Sequence, residues 1–217
     1  MRLVRARRIP VLLGMCVGLA AAGWPAAALA VPVTSPLLPP TEGQYVSLTD
    51  WHAYYESYGV ALLDPIHKGF TGILREPGPG YEQETFDSVL TAETALGPIT
   101  LTGLVTTRVY GYTSGALGTF DTEIVSMLLS GYAGGYYIEV REDVNKDSLG
   151  ETTITDEGGG MYDIESFFDV YTELRLNDGP WDPGVYPTGE PRMVFAVPEP
   201  SAAVLAIIGL MLVKRWR

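Results

Sequence analysis

Cysteine is nearly missing from this chain: Cys16 is the only one in 217 residues. It sits in an apolar N-terminal run, and Met15 before it is not the small residue a lipoprotein signal requires. Cys16 is therefore expected to leave with a cleaved leader, so the mature chain has no disulfide and no thiol chemistry. Histidine is scarce too. His52 and His67 are the only two, they are not at metal-ligand spacing, and no G-x-S-x-G motif precedes them. Both read as surface or partly buried residues rather than as a base or ligand. No phosphate loop or dinucleotide fingerprint is present. Basic residues are few once the ends are set aside. Residues 31–197 keep seven of the 14 Lys+Arg against 25 of the 26 Asp+Glu, a net charge of −18. Such a surface repels nucleic acid and anionic lipid. It stays soluble and can hold divalent cations loosely.

What the middle does have is Thr, Val, Tyr, Ile and Gly in period-2 stretches, with turn residues at short intervals. That pattern predicts an antiparallel all-β domain. Strands are expected near residues 59–63, 84–91, 99–105, 106–112, 118–129, 136–141, 151–155, 162–164, 167–176 and 192–196. Pro77-Gly78-Pro79-Gly80, Gly134-Gly135, Gly158-Gly159-Gly160 and Asp178-Gly179-Pro180 punctuate them. One short helix over 50–56, capped by Thr49 or Asp50, is the exception. Ten short strands without a long helix predict a β-sandwich of two sheets over residues 45–196. Residues 31–44, with Pro32, Pro36, Pro39 and Pro40, read as an extended linker.

The two ends have complementary layouts. Arg2, Arg5, Arg7 and Arg8 precede an apolar run over 11–22, and Ala28-Leu29-Ala30 before Val31 has the small-x-small form that signal peptidase accepts. Residues 1–30 are thus expected to be a signal peptide, helical in its apolar part. Arg7-Arg8 lacks the flanks of a twin-arginine signal, so general export is expected. At the other end Val197-Pro198-Glu199-Pro200-Ser201 is followed by an uncharged apolar run over 202–213, then by Lys214-Arg215-Trp216-Arg217. Two prolines one residue apart make an extended break. The run is about 18 Å long as a helix, short against a hydrocarbon core of about 30 Å. Lys214, Arg215 and Arg217 would hold its end on the cytoplasmic side. A short, cleavable anchor fits best.

The pentapeptide Val197–Ser201, the apolar run and the basic terminus together resemble the PEP-CTERM sorting signal. The resemblance covers about twenty residues. It implies that an exosortase, a membrane-embedded cysteine transpeptidase, processes the chain near Pro198–Pro200 and passes it to the cell surface or matrix. It implies a route and no activity. A second block resembles a stretch shared among exported bacterial proteins that carry the same tail: Phe120–Val125, Arg141-Glu142, Thr152–Ile154 and Gly158–Leu174. No activity attaches to it.

Candidate chemistry is thin. Asp121 with Glu123, Asp163 with Glu165, and Asp169 with Glu173 would each share a strand face, as paired glycosidase carboxylates do. An acidic solvent face shows the same pairs, and no catalytic residue is assigned. Asp143-Val144-Asn145-Lys146-Asp147 has the D-x-N-x-D spacing of a Ca²⁺ loop. However, Ser148 stands where the tight-turn Gly belongs, Ile154 where the bidentate Glu belongs, and Lys146 brings a cation. An Asx-rich turn accounts for Asp143, Asn145 and Asp147 better than a weak Ca²⁺ site does. Trp181, Tyr136 and Tyr137 could stack on sugar, though strand aromatics more often fill cores. The expected role is that of a non-enzymatic protein of the cell surface or extracellular matrix. The alternative is a carbohydrate-binding module acting in extracellular polysaccharide.

Overall fold

The computed structural model describes residues 32–49 and 51–198. The expected signal-cleavage positions Ala28, Ala30 and Val31, the tail residues Glu199, Pro200 and Ser201, the basic end Lys214, Arg215 and Arg217, and both expected terminal helices lie outside the described residues. Within them the chain forms twelve strands: β1 (Gln44–Ser47), β2 (Trp51–Tyr55), β3 (Val60–Gly78), β4 (Tyr81–Glu93), β5 (Ile99–Tyr110), β6 (Gly118–Ala133), β7 (Tyr136–Glu142), β8 (Ser148–Gly158), β9 (Met161–Asp169), β10 (Thr172–Leu176), β11 (Asp182–Pro183) and β12 (Arg192–Ala196).

All-β is correct, but the two-sheet sandwich is not. The sheet closes on itself as an eight-stranded antiparallel barrel in the order β6-β5-β4-β3-β1-β12-β9-β8, with β8 returning to β6. Long, coiled strands make closure possible. β3 runs for 19 residues and β6 for 16. β3 passes through Asp64, Gly69 and Gly72, all at positive φ, with register shifts against β4 on either side. Each bulge bends and twists the strand, so the sheet curls instead of splitting into two layers. Residues 64–78, outside the strands expected from the sequence, thus belong to this one bent strand. The expected break between 105 and 106 is likewise only a register shift between β5 and β6 at Thr106/Thr107.

β6 serves two partners in turn. Residues 118–124 pair with β8, and residues 128–133 pair with β7. From β7 the pairing continues to β10 and β11, while β2 adds to the start of β3. A bridge between Tyr54 and Val185, 2.8 Å in each direction, links β2 to the chain just after β11. The four long strands thus carry a second, looser circuit at their other end. The Tyr55 hydroxyl and Thr172 Oγ1, 2.7 Å apart, reinforce it.

Two smaller expectations also fall. Residues 51–55, expected in a helix, form β2, because β3 offers them a free edge and Ala53 and Tyr55 bury completely. The expected strand over 167–176 divides into β9 and β10 around Val170 and Tyr171.

The core has two parts. The larger joins Tyr45, Tyr55, Leu62, Phe70, Leu101, Leu129, Ile138 and Leu174. The smaller lies at one end of the barrel and joins Val33, Leu38, Val109, Tyr112, Ile154 and Ile164, with Val197 packed against it. The Pro-rich segment is therefore no free linker where it is described. It is a strap: Val33 pairs with Tyr162, the Tyr112 hydroxyl donates to Pro36 O at 3.0 Å, and Arg75 Nε donates to Leu38 O at 2.9 Å. Val33 and Val197, near the two limits of the described chain, meet in the same apolar cluster.

Candidate functional site

At the strap end the largely apolar barrel interior also holds several polar side chains. Along β4 the inward positions are Glu82, Glu84, Phe86, Ser88, Leu90 and Ala92. Glu82 accepts from Ser114 N and Oγ at 3.0 and 2.7 Å. Glu84 accepts from Thr107 Oγ1 at 3.3 Å. Burial pushes its carboxyl up to about 8, against the pull of Arg75. Across the barrel, Tyr45 OH, Ser166 Oγ and Thr152 Oγ1 form a hydroxyl relay at 2.9 and 2.7 Å. Sequence reasoning missed Glu84 and Thr122 here. The available signal was a carboxylate in phase with the apolar face of a strand.

Both histidines are buried and neutral. Desolvation pushes His52 and His67 down to about 4. His67 Nε2 meets Ser88 Oγ at 2.7 Å. That contact looks like a nucleophile and its base, but Ser88 is 2% exposed and its hydroxyl turns to Gly103 O at 3.4 Å. Both histidines are more deeply buried than the surface or partly buried positions expected from the sequence.

The D-x-N-x-D segment joins β7 to β8 where they part from β6. Asp143 is buried, and its Oδ1 accepts the amide of Asn145 at 2.9 Å, an Asx turn. The Lys146 ammonium lies 5.2 and 5.3 Å from the ring centres of Tyr171 and Tyr186. A cleft of about 250 Å³ opens beside it, lined by Glu123, Glu142, Asp147 and Arg141 among others. Burial pushes Glu142 up to about 7, and Glu123 and Asp147 add to the shift. Among the described residues no group of three His, Cys, Asp or Glu is placed to hold a metal ion.

The carboxylate pairs separate by role. Asp121 and Glu123 lie on β6, where Glu123 accepts from the Tyr110 hydroxyl. Asp163 and Glu165 lie on β9. Asp169 and Glu173 are on different strands, and each is held by its own arginine: Arg192 Nε donates to Asp169 at 2.8 Å and Arg141 Nε to Glu173 at 2.6 Å.

The aromatic candidates are partly brought together. On β7, residues 137, 139 and 141 face outward, while Ile138 and Val140 are fully buried. Arg141 pairs with Glu173 and Arg175 with Glu139 across the β7–β10 ladder. Trp181 covers the quartet, its ring 4.1 Å from the Arg141 guanidinium and 4.6 Å from that of Arg175. Tyr137 lies on this outer face beside Tyr132, with ring centres 5.1 Å apart. Tyr132 is 74% exposed. Tyr136 has the opposite parity on β7 and is not part of the group. The structure puts Tyr132, absent from the sequence-based set, in its place. The buried aromatics Tyr45, Tyr55 and Tyr112 are core, as strand aromatics usually are.

Comparison with known protein families, curated proteins and solved structures found no match.

Proposed function

We propose that this chain is an exported, non-enzymatic protein of the cell surface or extracellular matrix. A signal peptide directs it outward, its PEP-CTERM tail holds it briefly in the membrane, and an exosortase processes it near Pro198–Pro200. One observation supports this reading beyond the terminal sequences. Val33, two residues past the expected signal-peptidase site, and Val197, the first residue of the sorting pentapeptide, pack in one cluster at one end of the barrel. Segments leaving from both can enter one bilayer without unfolding the domain. Mass spectrometry of the extracellular product tests the proposal. The expected N-terminus is Val31 and the expected C-terminus lies near Pro198–Pro200. The tail should be retained in cells lacking the processing enzyme. A wild-type product that still ends in Trp216-Arg217 refutes it.

The outer face of β6, β7 and β10 favours a second reading, a carbohydrate-binding module in extracellular polysaccharide. Tyr132, Tyr137 and a Trp181 braced by two arginines give aromatic surface beside hydrogen-bond donors, the chemistry that recognises sugar rings. A glycan pull-down tests it. Retention of the protein on polysaccharide, lost on Tyr132→Ala or Trp181→Ala, supports it. Retention that both variants keep places binding elsewhere.

A further inference from the structure

The barrel mouth under the strap holds a polar group that the protein itself does not satisfy. Glu84 is 1% exposed, and its Oε1 has no hydrogen-bond partner. Thr122 Oγ1 is in the same condition. Both line one cavity of about 40 Å³, together with Thr107, Thr152 and the strap residues Leu38 and Pro39. One water needs about 10–15 Å³, and an engineered cavity that holds benzene has about 150 Å³. The space therefore suits two or three waters and excludes an aromatic ligand. Leaving the two oxygens dry would cost about 1–3 kcal/mol each, so water has reason to be there.

Arg75 connects this cavity to the strap. It stands directly opposite Glu84 across the β3–β4 ladder, so the two side chains share a face. Its Nε also donates to Leu38 O at 2.9 Å. One cation thus serves as tether of the strap and as countercharge to the buried acid. We propose that the cavity binds two or three waters on Glu84 Oε1 and Thr122 Oγ1, and that loss of the Glu84 proton draws Arg75 away from Leu38 and releases the strap. The proton leaves to solvent through the cavity waters, and the carboxylate takes the guanidinium that held the Leu38 carbonyl.

The charged and titratable groups around Glu84 are Arg75 from β3, Glu82 on its own strand and Tyr112 from the β5–β6 connection. Tyr45 of β1 and His67 of β3 line the same cavity. Burial pushes His67 down to about 4 and the Tyr45 phenol far up, so both stay neutral between pH 5 and 9. Glu84 is placed to change charge within that window. Closed, it keeps its proton up to about pH 8; solvated, an ordinary glutamate loses it near 4.5. The closed state is thus favoured at low pH. Opening gains up to about tenfold per pH unit as pH rises between those values.

Hydrogen exchange of the full chain in detergent micelles tests this, with each rate divided by the intrinsic rate at that pH. Protection of residues 33–43 should fall about tenfold per unit from pH 5 to 6.5, while protection of β5, which follows global unfolding, stays flat there; from pH 6.5 to 8 both should fall, and both level off above. Glu84→Gln should hold the strap's protection constant with pH. Equal slopes for strap and β5 between pH 5 and 6.5, or the wild-type slope of the strap surviving in Glu84→Gln, overturn the proposal. Should that variant not fold, infrared spectroscopy of Glu142→Gln, which removes the other raised carboxyl, decides: a protonated-acid carbonyl band at pH 6.5 that is gone by pH 9 supports it, and no such band at pH 6.5 overturns it. Thr122→Val removes one water anchor and should move the midpoint of strap release to higher pH. An unmoved midpoint overturns the hydration of the cavity.

Discussion

Four buried or half-buried groups decide how the stability of this domain answers to pH. Burial pushes His52 and His67 down from 6.5 to about 4. It pushes Glu84 up from 4.5 to about 8 and Glu142 up to about 7. Below pH 6.5 the unfolded chain takes up histidine protons that the fold refuses, so stability is lost as pH falls toward 4. Above pH 4.5 the fold keeps glutamate protons that the unfolded chain has released, so stability is lost as pH rises toward 7 and 8. Between 4.5 and 6.5 two protons act in each direction and nearly cancel. From 6.5 to 8 only the glutamates act. At 1.36 kcal/mol per unit, Glu84 alone removes about 2 kcal/mol over that interval. Glu142, half in solvent and screened, adds a few tenths. Urea unfolding followed by circular dichroism at fixed ionic strength reads this directly. The expected profile is flat from about pH 5 to 6.5, falls by about 2 kcal/mol to pH 8, and is level beyond. Stability that is constant or rising from pH 6.5 to 8 refutes the reasoning.

Two further predictions concern close packing and metal. A Cβ on Gly150 would lie 2.0 Å from Phe167 O and 2.8 Å from Thr122 Oγ1. Gly150→Ala should therefore force β8 from β9 and lower the urea-unfolding free energy by about 1–3 kcal/mol, and an unchanged midpoint contradicts the register of these strands. The Asp143 carboxylate is already committed to the Asn145 amide. Millimolar Ca²⁺ and a chelator should accordingly give the same melting temperature, and a shift of several degrees would assign the Asp143–Asp147 turn to a metal after all.

The strands were legible where one face is apolar and the turns are short. In β7 apolar Ile138 and Val140 alternate with charged Glu139 and Arg141, and β12 ends where the expected strand ends. Closure was not legible, because it depends on where β6 changes partner, and no local pattern marks residues 125–127. β3 was hidden by its own bends: Asp64, Gly69 and Gly72 look like turns and are bulges. β2 was misread because Trp51–Tyr55 has no period that separates a helical turn from an edge strand, and a tertiary partner decided it. The acid at the barrel mouth was hidden for another reason. On β4 the inward set begins with Glu82 and Glu84, so neither face of its first half looks buried. The outer aromatic group was half visible: the sequence offers Tyr136 and Tyr137 as a pair, and only pleat parity sends them to opposite faces.

On the proposed export route the position of β12 matters. It is the last strand among the described residues, yet it sits between β1, the first of them, and β9. The hoop cannot seal until residue 196 has emerged, and a polypeptide stalled in passage would present two raw sheet edges to its neighbours. Only Val197 to Ser201 separate that sealing strand from the greasy segment. Fully stretched, those five residues reach about 17 Å. On the proposed route the finished can would therefore ride close above the lipid until it is cut loose.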